Sequence, residues 1–337
     1  MRDRVLYEIQ KNFPLTIRPY EDIAKRLDMD EDTVLDIVKN EKERGIIRQI
    51  SAIFDTKKLG YSSSLVAFKI SKEDMDRAVE VLNSHPGISH NYERDHEFNV
   101  WFTIAVSPDS KLGLEKSVAL LSELSNAKEY IILPTLKLFK IAVKLDTTGK
   151  ASKKESVDKK RYKDIVLEDI HKRVIKYAQE DSEITAEPFK EIIKKLSISY
   201  DEFFNILREL KDSGVMRRYA AILNHRKAGF NANAMVVWDI DDEKAIKYGK
   251  KLATFSAVSH CYLRPKYPNW RYNIFTMVHG KTKEQTDKIV KEMESEVEFN
   301  SNRYLYSSRE FKKVRVKYFT DDTREWEDKM TNKDRSR

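Results

Sequence analysis

Two stretches of this chain gather cations, histidines and tyrosines among apolar residues of the β-forming type. Residues 214–230 (GVMRRYAAILNHRKAGF) hold Arg217, Arg218, Tyr219, His225, Arg226 and Lys227. Residues 257–264 (AVSHCYLR) hold His260, Tyr262 and Arg264. A purely structural strand pair gains little from such a mix, because buried cations without partners are costly. A pocket for a polyanion uses them directly, since guanidinium forks match carboxylates. Histidine adds a group that exchanges protons near neutral pH. The chemistry expected is therefore binding of a polyanionic ligand. His260 and His225 are the candidate catalytic residues. Arg217, Arg218, Tyr219, Arg226, Lys227, Tyr262 and Arg264 are candidate substrate-binding residues.

Both stretches recur earlier in weaker form. Residues 45–61 (GIIRQISAIFDTKKLGY) align without gaps on 214–230, placing Gly45 on Gly214, Arg48 on Arg217 and Lys58 on Lys227. Residues from 88 onward (ISHNYERDHEFNVWF) match those from 258 onward, placing His90 on His260, Tyr92 on Tyr262, Arg94 on Arg264 and Asn99 on Asn273. Arg48, His90 and Arg94 join the substrate-binding set on this ground. A repeat of this length means two homologous halves. They are not equal: Gln49 and Thr56 stand opposite Arg218 and His225, so the chemistry is expected to centre on the second half.

With 337 residues, each half has ample length for its own core. The net charge of +8 suits an acidic partner. The single cysteine, Cys261, excludes an internal disulfide and a cysteine-rich metal cluster. It is expected to be a small buried apolar residue. No apolar run approaches the roughly 18 residues of a membrane span, and no secretory signal is evident, so a cytoplasmic protein without a membrane partner is expected.

Helical spacing of Val5, Leu6 and Ile9, then helices over 20–27 and 32–44 ending at Gly45, precede a β-type run at 46–54. The order repeats at 166–179, 188–196 and 200–211. Each set is followed by a β-α-β-β-α-β pattern, with strands expected at 63–70, 88–94, 99–106 and 129–145 and again at 232–240, 257–264, 272–278 and 302–319. The fold expected is α+β: two tandem repeats, each a winged helix-turn-helix followed by a ferredoxin-like βαββαβ domain. The boundaries are 1–61 and 62–145 for the first half, a linker at 146–160, 161–230 and 231–319 for the second half, and a polar, poorly ordered tail at 320–337. His85 and His279 are expected to be structural and His171 to lie on a helix surface. The segment YPNWRY (267–272) is either a lid or a packed loop.

This order resembles the Lrp/AsnC regulators, which bind DNA and sense amino acids. The helix at the DNA-reading position argues against that use. Asp28, Asp30, Glu31, Asp32 and Asp36 crowd its start, and Asp201 and Glu202 do so in the second copy. Phosphate contacts need neutralising cations there. The blocks at 85–103, 217–238 and 257–280 resemble the siroheme decarboxylases, Lrp/AsnC-like proteins often built as two separate subunits. The chain looks like their fused form, with the two halves as an intrachain pseudo-dimer and a higher homo-oligomer left open. The resemblance implies loss of two ring-acetate carboxyls of siroheme as carbon dioxide, giving didecarboxysiroheme for haem or d-type haem synthesis. It implies no required cofactor, because the siroheme iron enters with the substrate, and no DNA. His260 would donate a proton or contact the iron. The alternatives are an Lrp/AsnC-type transcription regulator and a siroheme or haem sensor without turnover.

Overall fold

The computed structural model describes residues 1–11, 13–141, 162–223 and 232–334. The expected linker at 146–160 and the candidates His225, Arg226 and Lys227 lie outside the described residues. In the first half, α1 (Arg2–Lys11), α2 (Pro19–Leu27) and α3 (Glu31–Glu43) lead into β1 (Ile47–Phe54). There follow β2 (Ser62–Lys69), α4 (Met75–Ser84), β3 (Ile88–Arg94), β4 (Val100–Val106), α5 (Gly113–Leu124), β5 (Glu129–Leu133) and β6 (Lys137–Ile141). The second half repeats this order with α6 (Asp169–Ala178), α7 (Lys190–Leu196), α8 (Tyr200–Asp212), β7 (Met216–Leu223), β8 (Ala232–Asp239), α9 (Asp242–Ala253), β9 (Val258–Leu263), β10 (Ile274–Gly280), α10 (Lys283–Glu294) and β11 (Ser301–Lys313). A last helix, α11, spans Asp322–Asp334.

These elements form two compact units, one from the described residues of 1–61, 160–227 and 317–322, the other from those of 62–159, 228–316 and 323–337. The helical parts of both halves thus share one unit, and the sheet parts share the other.

In the helical unit, α3 starts at Asp30, whose carboxylate accepts from the Thr33 amide at 2.7 Å. The matching α8 starts at Ser199, whose hydroxyl accepts from the Glu202 amide at 3.1 Å. Such caps satisfy amides that the helix itself leaves unpaired. Both helices run into a glycine in the left-handed region, Gly45 at φ 67° and Gly214 at φ 70°. That conformation turns the chain into a strand and strains any residue with a Cβ. The three helices and the strand after them follow as expected, and the strand finds its partner in the other half. After β1 the chain does not fold back as a hairpin. Asp55 turns it instead, accepting from the Lys57 and Lys58 amides at 3.1 and 3.2 Å. β1 pairs antiparallel with β7, its own counterpart, with Ile50 opposite Ala221 and Ala52 opposite Tyr219. A single strand per half would leave a row of amides and carbonyls unpaired, and the two copies satisfy each other.

In the sheet unit, the described residues form one sheet in the order β5-β2-β4-β3-β11-β8-β10-β9-β6, with every neighbouring pair antiparallel. Each half supplies four strands in the ferredoxin-like order, and each is bordered by a strand from the other half. The strand expected at 129–145 is two strands. Pro134 lies in the break between them, and proline cannot donate to a ladder. β5 stays with β2 of its own half, while β6 crosses to β9. β11 makes the same exchange without a break: its first part pairs with β8 and its second with β3.

Successive side chains of a strand face opposite ways. Val66 and Phe68 face α4 and α5, while Ala67 between them faces a second core. Val236 and Trp238 face α9 and α10, while Met235 and Val237 join that same second core with Trp101, Phe275 and Leu305. Strands covered on both sides read as nearly continuous apolar runs, such as LVAF and MVVW. The tail also needs correction, because α11 is ordered onto this unit. Trp326 is buried against the first-half core, and its indole donates to Ser84 Oγ at 2.9 Å. Buried Glu327 accepts from the Lys111 amide at 2.9 Å. Two apolar residues one turn apart, Trp326 and Met330, anchor an otherwise polar helix.

Candidate active site

β3 and β9 each carry a bulge at a serine. Pairing passes from Ile88 opposite Ile104 to His90 opposite Thr103, and from Val258 opposite Val278 to His260 opposite Met277. Ser89 and Ser259 are the extra residues. On a regular strand a serine and the histidine after it would face opposite sides, and the bulge brings them together. Ser89 Oγ lies 2.9 Å from His90 Nδ1, and Ser259 Oγ lies 2.7 Å from His260 Nδ1. From each histidine, steps of two along the strand reach a tyrosine and then an arginine. The His90 and Tyr92 rings stack at 6.2 Å, and those of His260 and Tyr262 at 6.1 Å. The Arg94 guanidinium lies 5.6 Å from the Tyr92 ring, and that of Arg264 lies 4.8 Å from the Tyr262 ring.

Beyond this shared ladder the halves differ. Ser89 Oγ meets the Thr103 hydroxyl at 2.8 Å. Ser259 Oγ instead meets His279 Nε2 at 2.6 Å, and His279 Nδ1 meets Asn233 Oδ1 at 2.7 Å. His279 and Asn233 face each other across β10 and β8. Ala105 and Ser63 occupy the matching pair in the first half. The exchanged strands differ too. β6 sets Ile141 opposite His260 and Leu138 opposite Tyr262. β11 sets Lys313 opposite His90 and Glu310 opposite Tyr92. The strand bordering this ladder is therefore aliphatic in the second half and charged in the first.

A family model described as the siroheme decarboxylase NirDL-like HTH domain matches residues 3–48 and 171–217, and the AsnC-like ligand binding domain matches 58–140 and 227–312. A siroheme decarboxylase of Hydrogenobacter thermophilus is 40% identical over 324 residues, covering 96% of each chain. The chain belongs to the siroheme decarboxylase family. An alpha subunit of the family from Desulfovibrio desulfuricans is 44% identical over 144 residues, covering 42% of this chain and 80% of its own. The halves are thus separate subunits in some members and one chain here. The crystal structure of the siroheme decarboxylase NirDL in complex with an iron-uroporphyrin III analogue superposes with a TM-score of 0.80, at 33% identity over 98% of both chains.

In this member of the siroheme decarboxylase family, several candidate residues take other places than expected. Arg94 and Arg264 are corrected from carboxylate clamps to internal struts. They are only 5% and 8% exposed. Arg94 Nη1 donates to the carbonyl of Leu305, and Arg264 Nη1 to that of Leu133. Burial pushes both guanidinium pKa values down to about 10. Tyr219 is likewise corrected. It sits in the core of the helical unit between Phe13 and Phe189, with its hydroxyl bonded to Ser182. Burial raises its pKa.

Arg217 lies at the surface of the helical unit, paired with Asp55 at 2.9 Å. Arg48 is exposed on β1. Arg218 is half-buried on β7, and burial alone lowers its pKa. Tyr262, His90 and His260 stay half-exposed on the sheet unit. His171 is buried rather than on a surface: its Nδ1 accepts from the Glu168 amide at 3.2 Å, and its Nε2 lies 3.2 Å from Glu209. Cys261 faces the helices on the side away from His260, and burial raises its pKa. The segment 267–272 is a packed loop. Trp270 lies in the second core, 5.2 Å from Trp101, and Tyr267 Oη donates to the Ile132 carbonyl at 2.6 Å.

Sequence reasoning passed over Ser89, Ser259 and Asn233 and read His279 as structural. The signal available was the Ser-His dipeptide present in both copies, which has mechanical meaning only once a bulge puts both side chains on one face.

Proposed function

We propose that this chain is a siroheme decarboxylase, a carboxy-lyase that removes two ring-acetate carboxyls as carbon dioxide and yields didecarboxysiroheme. Loss of carbon dioxide leaves an electron pair on the former acetate carbon, and the conjugated macrocycle delocalises it. Protonation then forms the new C–H bond and completes a methyl group. His260, protonated at Nε2, is the proton donor; it returns to the neutral form as the bond forms. The macrocycle brings its own iron and its own electron sink, so no further cofactor is required.

The reaction is centred on the second half. The observation that carries this is the hydrogen-bonded set Ser259, His260, His279 and Asn233, whose last two members are replaced by Ala105 and Ser63 in the first half. The aliphatic border from β6, with Leu138 and Ile141, suits the apolar face of a macrocycle. Tyr262, stacked on His260 and held from below by Arg264, continues that floor. Arg218, a half-buried guanidinium without an ion-pair partner among the described residues, is a candidate partner for a substrate carboxylate. Arg48, His90, Arg226 and Lys227 are further candidates for binding substrate, and His225 is the second catalytic candidate.

The test is incubation of the purified chain with siroheme in the absence of oxygen and mass spectrometry of the product. Loss of two carboxyl groups is expected. Tight binding with unchanged siroheme would instead make the chain a sensor, and no binding would remove the proposal.

A further inference from the structure

The bulge at Ser259 places one hydroxyl between two imidazoles. Ser259 Oγ lies 2.7 Å from His260 Nδ1 and 2.6 Å from His279 Nε2. A serine hydroxyl has one proton to donate, so the two rings do not receive the same bond from it. The far side of His279 decides the direction. Its Nδ1 lies 2.7 Å from Asn233 Oδ1, an oxygen that only accepts. Nδ1 of His279 therefore carries a proton, and in its neutral form the ring offers a lone pair at Nε2. Ser259 donates to that lone pair. Ser259 Oγ is then left to accept from His260 Nδ1–H.

We infer that His279 is a positioning residue that fixes His260 as the Nδ1–H tautomer, making Nε2 the atom that takes up and delivers the proton. The inference rests on the reading of the chain as a decarboxylase in which His260 is the donor. The polar chain reads, in donor order, from His260 through Ser259 and His279 to Asn233. Which ring nitrogen reacts is set by the bond that the other one makes. The first half supplies the contrast. There Ser89 Oγ meets His90 Nδ1 at 2.9 Å and the Thr103 hydroxyl at 2.8 Å. Two hydroxyls can each donate or accept, so the Ser89–Thr103 pair does not itself dictate a direction. Ala105 stands where the second half has His279.

The experiment has a spectroscopic arm and a kinetic arm. Ring 15N shifts of His260, identified by their loss in His260→Gln, are read in the ligand-free chain with labelled histidine. The Nδ1–H tautomer is expected in the wild type and in His279→Gln, whose amide oxygen can still accept from Ser259. Mixed tautomers are expected in His279→Leu. For siroheme turnover, His279→Leu should lower kcat by at least about tenfold with KM little changed, a part of the 10²–10⁴ that a positioned proton donor supplies. His279→Gln should restore most of that loss. An Nε2–H signal for wild-type His260, or His279→Leu with wild-type kcat and tautomer, would overturn the inference. If the wild type fails to turn over siroheme, the decarboxylase reading falls while the tautomer measurement still decides this one. If His279→Leu does not fold, the wild-type tautomer and the kcat of Asn233→Leu, expected to fall likewise, decide it.

Discussion

Arg94 and Arg264 are bound to each other's halves. Arg94 Nη1 donates to the carbonyl of Leu305, a second-half residue, and Arg264 Nη1 to that of Leu133, a first-half residue. Both guanidinium groups are buried, and Nε of each lacks a hydrogen-bond partner among the described residues. Arg264→Ala should therefore cost about 2–5 kcal/mol, from the cavity and the carbonyl left unpaired. Arg264→Met should cost less, because it fills the space and removes a buried charge. Denaturant unfolding of the two variants checks the order, and a milder effect from Ala than from Met would contradict it.

His85 gives the sheet unit a pH limit. It is buried against Trp326, with ring centroids 4.4 Å apart. Burial, with a smaller contribution from the nearby Lys312 ammonium, pushes its pKa down from 6.5 to about 3. The folded protein thus keeps His85 neutral where the unfolded chain protonates it. Its contribution is complete above pH 6.5 and is lost as pH falls from 6.5 toward 3, by about 1.4 kcal/mol per unit. His85→Asn should flatten the stability profile over that range. An unchanged slope would count against the buried neutral ring.

The last helix is part of the sheet unit, so its removal should be felt. Trp326→Ala should lower stability by about 3–5 kcal/mol, in the range for a large buried aromatic. Deleting everything after residue 320 should do at least as much, because Glu327 then also releases the Ser110 hydroxyl and the Lys111 amide. Thermal unfolding of both variants is the measurement. Wild-type midpoints would mean the helix contributes nothing.

Duplex DNA should not be retained at physiological salt. The start of α3 presents Asp30, Glu31 and Asp32, and Glu31 already pairs with Arg18. Phosphates need cations at that end of a reading helix. A mobility-shift assay with mixed-sequence duplexes should show free DNA throughout, and a retained band that weakens steeply with salt would contradict the expectation.

Much of the architecture was legible because it rests on local signals. The helices announce themselves by spacing, and α3 also by its stop at Gly45. The repeat reveals two halves, since Arg94 and Arg264, or His90 and His260, sit in like surroundings. What was not legible depends on partners far away in sequence. Nothing in the run around Ile50 says that its partner is Ala221 of the other half. Pro134 marks a break in a strand but not the crossing of β6 to β9. An arginine in a polar motif also looks alike whether it meets a ligand or a carbonyl, and only burial separates Arg264 from Arg218. His279 reads as structural in the sequence because its partner Ser259 reaches it from a neighbouring strand, through a bulge that sequence spacing does not show.

The central claim is that siroheme is decarboxylated at the second half through His260. Anaerobic turnover by the wild type, His260→Ala and His90→Ala, with products weighed by mass spectrometry, tests it most directly. The account predicts loss of two carboxyl groups with the wild type, unchanged siroheme with His260→Ala and reduced but clear conversion with His90→Ala. Equal losses from the two variants, or full activity in His260→Ala, would contradict it.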